Sequence, residues 1–94
     1  MLNEPLEPQK AKQLIRLTIS SGTVRFSSHA EDEIDKDNLT KADVINVLRG
    51  GLVEAPECVK GSWRYRVRTN KIYVVVAFPS ELHLRIVTAW RLKR

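Results

Sequence analysis

Cysteine is almost absent from this chain of 94 residues, which has one, Cys58, and only two histidines. One cysteine cannot form an intramolecular disulfide, and this set of cysteine and histidine does not match the spacing of a structural zinc site. No apolar run approaches the roughly 20 residues that cross a bilayer, and residues 1–8 are acidic without a hydrophobic signal core. We therefore expect a cytoplasmic protein that contacts no membrane and uses no metal or other cofactor.

The length predicts one small domain, residues 1–94, of which we expect residues 1–7 to be flexible. A chain of this size buries only about 60 to 65% of the surface that its unfolded form exposes. It has little room for a large interior cavity, so any functional site is expected at the surface.

Positive charge is concentrated in the second half of the chain. Residues 1–59 contain 7 basic and 10 acidic side chains, whereas residues 60–94 contain 9 basic and 1 acidic. Such a block of one sign is typical either of a solvated face or of a surface that binds phosphate-rich partners.

The first half of the chain has a helical pattern. Apolar spacing predicts a helix from Pro8 to about Gly22, followed by a short strand or extended link over 23–27. Ser28 is expected to cap a second, acidic helix that ends near Asn38. A third helix is expected to begin at a capping box of Thr40 and Asp43 and to end at residues 50–51.

From Leu52 onward the apolar residues follow the period of a strand. The pattern predicts four strands, at 52–59, 62–69, 72–78 and 82–91. Helices first and a meander afterwards indicate an α+β fold, in which the amino-terminal helices pack on one face of a four-stranded antiparallel sheet.

Strand alternation assigns side chains to the two faces of this sheet. A turn at residues 70–71 places Arg68 opposite Tyr73 and Arg66 opposite Val75. A second turn at 79–81 places Val76 opposite Leu84, which assigns Thr88 and Trp90 to the core. The face away from the core is then expected to carry Arg64, Arg66, Arg68, Tyr73, His83, Arg85 and Arg91.

This basic face is expected to bind RNA phosphates. A solvated sheet face usually mixes both signs of charge, but here the strands that carry the arginines have no carboxylate on that face. The guanidinium group binds phosphate at two points and stacks on bases, and Tyr73 adds an aromatic surface. Because no helix is basic along one face, reading of the DNA major groove is disfavoured.

Several short motifs carry a resemblance to a known family. They are Phe26-Ser27-Ser28-His29-Ala30, residues 39–44, Gly50-Gly51, Tyr65-Arg66-Val67, residues 74–76 and residues 86–90. In this order the chain resembles, over about residues 24–91, small bacterial domains with a His-Ala helix start that are grouped with RelE-, BrnT- and MqsR-like toxins. The resemblance implies a RelE-like fold, metal-independent RNA cleavage, on the ribosome or off it, and neutralisation by a cognate antitoxin protein.

Cleavage without a metal requires a proton acceptor, a proton donor and stabilisation of the extra negative charge on the phosphorane. For the proton steps the candidates are His83, because histidine exchanges protons near neutral pH, and Tyr73, whose acidity nearby arginines would increase. Arg66 and Arg85 are the electrostatic candidates, with Arg64, Arg68 and Arg91 as further RNA-binding residues. His29 either transfers protons at the edge of a site or stabilises the helix start, and we favour the structural role. The alternative to a toxin-type endoribonuclease is a non-catalytic module that binds RNA or protein.

Overall fold

The computed structural model describes residues 2–92, which form three helices and six strands. The helices are α1 (Pro8–Ser21), α2 (Ser28–Lys36) and α3 (Lys41–Gly50). The strands are β1 (Thr23–Phe26), β2 (Leu52–Val53), β3 (Glu57–Val59), β4 (Ser62–Arg68), β5 (Ile72–Ser80) and β6 (His83–Arg91). The α+β class is confirmed.

The sheet differs from the predicted four-stranded antiparallel one. Its order is β1-β6-β5-β4-β2, β3 pairs with β4, and β1 runs parallel to β6. The predicted strand 52–59 is two short strands, because Pro56 has no N–H to donate to a ladder. The link after α1 is strand β1, and Gly22, just before it, lies against Leu82 in the turn that precedes β6. A Cβ at Gly22 would lie 2.3 Å from the carbonyl oxygen of Leu82, so only glycine fits there.

Two of the three predicted helix starts are confirmed. Pro8 opens α1, and α3 begins with the capping box, in which the Thr40 N–H donates to Asp43 and the Asp43 N–H donates to Thr40. The second start is one residue off. Ser27, in extended backbone, accepts from the Ala30 N–H at 3.0 Å and is the cap of α2, so the assignment to Ser28 is wrong.

The core lies between the three helices and one face of the sheet. The helices contribute Ala11, Ile15, Ala30, Ile34, Val44, Val47 and Leu48, and the sheet contributes Val53, Tyr65, Val67, Val74, Val76, Leu84, Ile86 and Ala89. Leu2 and Leu6, in the segment expected to be flexible, pack against this core. The Tyr65 hydroxyl donates to Glu4 at 2.9 Å and accepts from the Leu6 N–H at 2.9 Å. Met1, the first residue of that segment, lies outside the described residues.

The hairpin of β4 and β5 has the predicted register. Arg68 pairs with Tyr73, and Arg66 pairs with Val75. The two-residue turn and the strict alternation of Trp63-Arg64-Tyr65-Arg66-Val67-Arg68 leave no other register that buries the apolar side chains.

The predicted register of β5 and β6 is wrong. Val76 pairs with Ile86 rather than with Leu84, and the next pair is Val75 with Thr88. Val87 is therefore an extra residue, a β-bulge that reverses which side chains of β6 face the core. Thr88 and Trp90, assigned to the core by alternation, lie on the opposite face. Arg91 moves in the other direction, to the side of the helices.

Candidate nucleic-acid interface

The side of the sheet away from the helices is called the open face here. It carries the side chains of opposite parity to the core residues: Arg25, Arg64, Arg66, Arg68, Tyr73, Val75, Ala77, His83, Arg85, Thr88 and Trp90. Val75 and Ala77 are buried and form a small apolar floor between the longer side chains of β4 and β6. The predicted gathering of arginines on one face thus holds for Arg64, Arg66, Arg68 and Arg85.

Two of these arginines are paired with carboxylates. Arg66 donates to Glu57 at 2.7 Å, and Arg68 donates to Glu54 at 2.7 Å. Both acids come from the segment 52–59, and β3 places Glu57 beside β4. The strands that carry the arginines have no carboxylate on this face, as predicted, but the neighbouring segment supplies two carboxylates at this end, so the face as a whole is not free of negative charge. The partners are half-exposed, so each pair contributes little to stability, but each removes positive charge from the surface.

Tyr73 belongs to the same network, because its hydroxyl donates to Glu54. Burial and this hydrogen bond raise the pKa of Tyr73 above its usual value, and Arg66 opposes them only in part. The hydrogen bonds from Tyr73 and Arg68 in turn lower the pKa of Glu54. Arg66 lowers the pKa of Tyr73 in the predicted direction, but burial and Glu54 outweigh it, so the predicted net gain in acidity is wrong. At neutral pH this side chain is a neutral donor bound to an ionised carboxylate.

Trp90 stacks on Tyr73. The ring centroids lie 4.9 Å apart with an angle of 7° between the planes. The two residues are register partners on β5 and β6, which the bulge at Val87 makes neighbours on the open face. The stack forms an aromatic platform at the end of the open face where β5 begins.

At the other end of this face, β1 and β6 border a groove of about 340 Å³. Arg25 and Arg85 are register partners in the parallel pair, and both are exposed. The groove is lined by Thr23, Arg25, Phe26, Ser27, Pro79, Ser80, His83, Leu84 and Arg85. This lining has two guanidinium groups and no carboxylate, so two like charges lie on adjacent strands, an arrangement that an anion would relieve.

His83 is oriented by its neighbours at the rim of the groove. Its Nδ1 lies 2.8 Å from the Ser80 hydroxyl and 3.2 Å from the carbonyl oxygen of Glu81. The Ser80 hydroxyl can donate to Nδ1 or accept from it, whereas the Glu81 carbonyl only accepts. In the tautomer that donates from Nδ1 to Glu81, Nε2 is the atom that can accept a proton from a bound molecule.

Arg64 extends the cationic surface of the groove toward β4. Tyr65 pairs with Val76, so the residue before it, Arg64, lies opposite Ala77 on β5. Ala77 in turn pairs with Arg85 on β6. Arg64 and Arg85 are therefore two strand spacings apart, roughly 10 Å. Within the described part of the chain, neither Arg25, Arg64 nor Arg85 has a carboxylate within 4.0 Å, and the buried Arg64 Nε has no acceptor. Arg25 and Arg85 are exposed and thus keep their charge available for a ligand, whereas Arg64 is only partly exposed and has Glu57 as its register partner on β3.

Two further candidates lie elsewhere. Arg91 donates from Nε to the carbonyl of Asp37 at 3.2 Å and from Nη2 to that of Asn38 at 3.1 Å. It satisfies carbonyl groups at the end of α2 on the helix side, so its predicted place on the basic face is wrong. His29 is exposed in the first turn of α2, and it is not part of the groove lining.

Arg25 is the residue of this site that the sequence interpretation left out. The alternation of Thr23-Val24-Arg25-Phe26 contains the signal, since Val24 and Phe26 share one face and Arg25 has the opposite parity. What alternation could not indicate was the parallel pairing that brings Arg25 beside Arg85.

Residues 2–92 hold neither a cluster of metal ligands nor a helix that could span a membrane. No group of three His, Cys, Asp or Glu side chains converges there as a metal site. None of the helices described is both long enough and apolar enough to span a bilayer.

Comparison with known proteins identifies the family of the chain. The model of a domain of unknown function, DUF4258, matches residues 26–91, and the chain belongs to this family. Neither the curated proteins nor the solved structures gave a match. The matched region contains α2, α3 and strands β2 to β6, including His83 and Arg85, whereas Arg25 lies just before it.

Proposed function

We propose that this DUF4258 domain binds single-stranded RNA through its phosphates, in the groove between β1 and β6 and along the open face toward Arg64. The observation that carries the proposal is the pairing of Arg25 with Arg85 in a concave site lined by no carboxylate. A phosphate between the two guanidinium groups accepts charge-assisted hydrogen bonds from both and removes their mutual repulsion.

The shape of the surface supports a single strand rather than a duplex. The cationic side chains stand on strands of a sheet, and an aromatic platform lies on the same face. Single strands bind to such surfaces through backbone contacts and base stacking, whereas duplex DNA is read mainly by an element inserted into the major groove. No described helix lies on the open face.

The test is the affinity of the purified protein for a short oligouridylate, measured by fluorescence anisotropy at several salt concentrations. Arg25→Ala and Arg85→Ala are each expected to weaken binding at low salt and to reduce the slope of log K against log salt by about 0.7. The control is Arg16→Ala, because Arg16 is exposed on α1. Equal affinity of all four proteins would remove the groove from RNA binding.

Metal-independent cleavage of the bound RNA is the second function that we propose. The observation that favours it is His83, whose Nδ1 is held by Ser80 and Glu81 and whose Nε2 can take the proton of a ribose 2′-hydroxyl. The 2′-oxygen then attacks the adjacent phosphorus, the bond to the 5′-oxygen breaks, and a 2′,3′-cyclic phosphate remains. The leaving 5′-oxygen takes a proton from water, and His83 returns its proton to the solvent. Arg25 and Arg85 would stabilise the additional negative charge of the phosphorane.

The resemblance to RelE-, BrnT- and MqsR-like toxins supports a further proposal, that the chain is the toxin of a toxin–antitoxin pair with a RelE-like fold. An acidic antitoxin protein would be attracted to the arginines of the groove, and complementary charge would speed its association. Expression of the wild type is expected to inhibit growth, and expression of an Arg25→Ala, Arg85→Ala double variant is not. Normal growth of cells that express the wild type at the same protein level as the double variant would contradict the toxin proposal. RNA binding is tested independently by the anisotropy measurement.

A further inference from the structure

We propose that Trp90 is a stacking site for an unpaired nucleobase, so that the open face binds a base at one end and phosphates at the other. This inference rests on the proposed RNA binding and adds a specific contact to it. It follows from the bulge at Val87, which moves Trp90 out of the core parity and onto the face that carries the arginines.

The geometry of the aromatic pair supports this assignment. Tyr73 covers one face of the indole in a nearly parallel stack, and its own hydroxyl is fixed by Glu54. The platform is therefore held in place before any ligand arrives, which lowers the entropic cost of stacking a third ring. Trp90 is only partly buried, although it is a large apolar side chain.

Tyr73, on β5, stacks on one face of the Trp90 indole, so the other face is turned toward the β1 side of the sheet. The pairing of β1 with β6 ends at Phe26 and Ile86, before β6 reaches Trp90. No strand of the described residues continues beside Trp90 on that side. The end of α2 borders β6 there, because Asp37 accepts from the Arg91 N–H at 2.7 Å. A base therefore reaches the partly exposed ring of Trp90 from the open face rather than from this edge of β6.

The distance to the groove suits one continuous ligand. Trp90 and Arg85 pair with Tyr73 and Ala77, which lie four residues apart on β5. At about 3.3 Å per residue the separation is roughly 13 Å, a span that a few nucleotides of extended single strand cover. Thr88 lies on the same face between Trp90 and Arg85, and its short side chain leaves room for the ligand's sugar-phosphate backbone to pass.

The experiment compares two polyanions, an oligouridylate and a polyphosphate chain of similar charge that has no bases. Wild-type protein is expected to bind the RNA at least about fivefold more tightly than the polyphosphate at equal salt, because one stacked base contributes roughly that much or more. Trp90→Leu is expected to abolish this preference and leave the affinity for polyphosphate unchanged. Trp90→Phe, which keeps an aromatic ring, is expected to retain part of it.

Intrinsic fluorescence gives a second readout that does not depend on affinity. Trp63 packs against the core and is the matched control, since the chain has two tryptophans. RNA is expected to quench the emission of Trp63→Phe, in which Trp90 alone emits, and to leave Trp90→Phe unchanged. Equal binding of RNA and polyphosphate without quenching would overturn the stacking site while leaving phosphate binding intact. Failure of both polyanions to bind would overturn the proposed function as well.

Discussion

The Ser27 hydroxyl donates a hydrogen bond to the carbonyl oxygen of Val87, 2.9 Å away. The Ser27 Oγ also caps α2, because it accepts a hydrogen bond from the Ala30 N–H. The Ser27 N–H donates to the carbonyl of Ile86 at 3.0 Å. One serine thus joins the end of β1, the start of α2 and the bulge of β6. Because the bulge decides that Trp90 and Thr88 lie on the open face, Ser27 connects the packing of the helix to the composition of the binding surface.

We expect Ser27→Ala to destabilise the protein by about 1 to 2 kcal/mol, since it removes a helix cap and the bond to Val87. The measurement is urea unfolding followed by circular dichroism. Ser28→Ala is the matched control, because Ser28 is the next residue, is exposed and does not cap the helix. Equal unfolding midpoints for the two variants would show that the cap and the bulge contact contribute nothing.

Glu57→Gln is expected to increase the affinity for oligouridylate about two- to fivefold. The change removes the carboxylate that binds Arg66 at 2.7 Å and frees that guanidinium for a phosphate. The salt dependence of binding is expected to become steeper at the same time. Glu31→Gln, which breaks the exposed pair with Lys41 on the helix side, controls for the change in net charge. A similar gain in both variants would assign the effect to net charge alone.

The buried hydroxyl of Tyr65 predicts a loss of stability at alkaline pH. Burial and the hydrogen bond to Glu4 raise the pKa of Tyr65 to about 12, above the value of about 10 for an unfolded chain. The unfolded state therefore loses this proton first. The stability that the neutral hydroxyl provides is fully present below about pH 10 and is lost as the pH rises toward 12.

Comparison with Tyr65→Phe isolates this group from the lysines that titrate in the same range. At pH 8 the variant is expected to be less stable by about 1 to 2 kcal/mol, because the Leu6 N–H and Glu4 lose their partner. Between about pH 10 and 12 the difference from wild type is expected to shrink. A difference in unfolding free energy that stays constant over this range would contradict the assignment.

His83→Gln is expected to reduce RNA cleavage in the presence of a chelator by about 10² to 10⁴, the contribution of a positioned base. The affinity for oligouridylate is expected to stay within about twofold of the wild type, which separates chemistry from binding. His29→Gln is the control, since His29 is exposed on α2 and outside the groove lining. Cleavage is followed by the appearance of 2′,3′-cyclic phosphate ends. Unchanged cleavage by the His83 variant would remove this residue from the mechanism.

The sequence predicted best those parts of the fold in which local geometry leaves no choice. The turn at residues 70–71 and the alternation through Arg64, Arg66 and Arg68 determine both the register of β4 with β5 and the face of the arginines. The capping box at Thr40 was predictable for the same reason, because each partner satisfies a backbone N–H of the other.

The remaining parts of the site depend on contacts distant in sequence. Simple alternation cannot locate the bulge at Val87, since it is stabilised by Ser27, sixty residues away. The parallel pairing of β1, which brings Arg25 beside Arg85, likewise depends on tertiary packing, in which Gly22 lies against Leu82, the residue before β6. The pairing of Arg66 and Arg68 with carboxylates depends on the interruption of the predicted strand at Pro56. This interruption divides the segment 52–59 and places Glu54 and Glu57 beside β4.

The most direct test of RNA binding in the groove is a titration of ¹⁵N-labelled protein with oligouridylate, observed at the arginine Nε–H groups by NMR. The account predicts that the signals of Arg25 and Arg85 shift together and saturate at the same RNA concentration, while those of Arg16 and Arg49 on the helices stay in place. Shifts confined to the helix arginines, with Arg25 and Arg85 unchanged at saturating RNA, would contradict it.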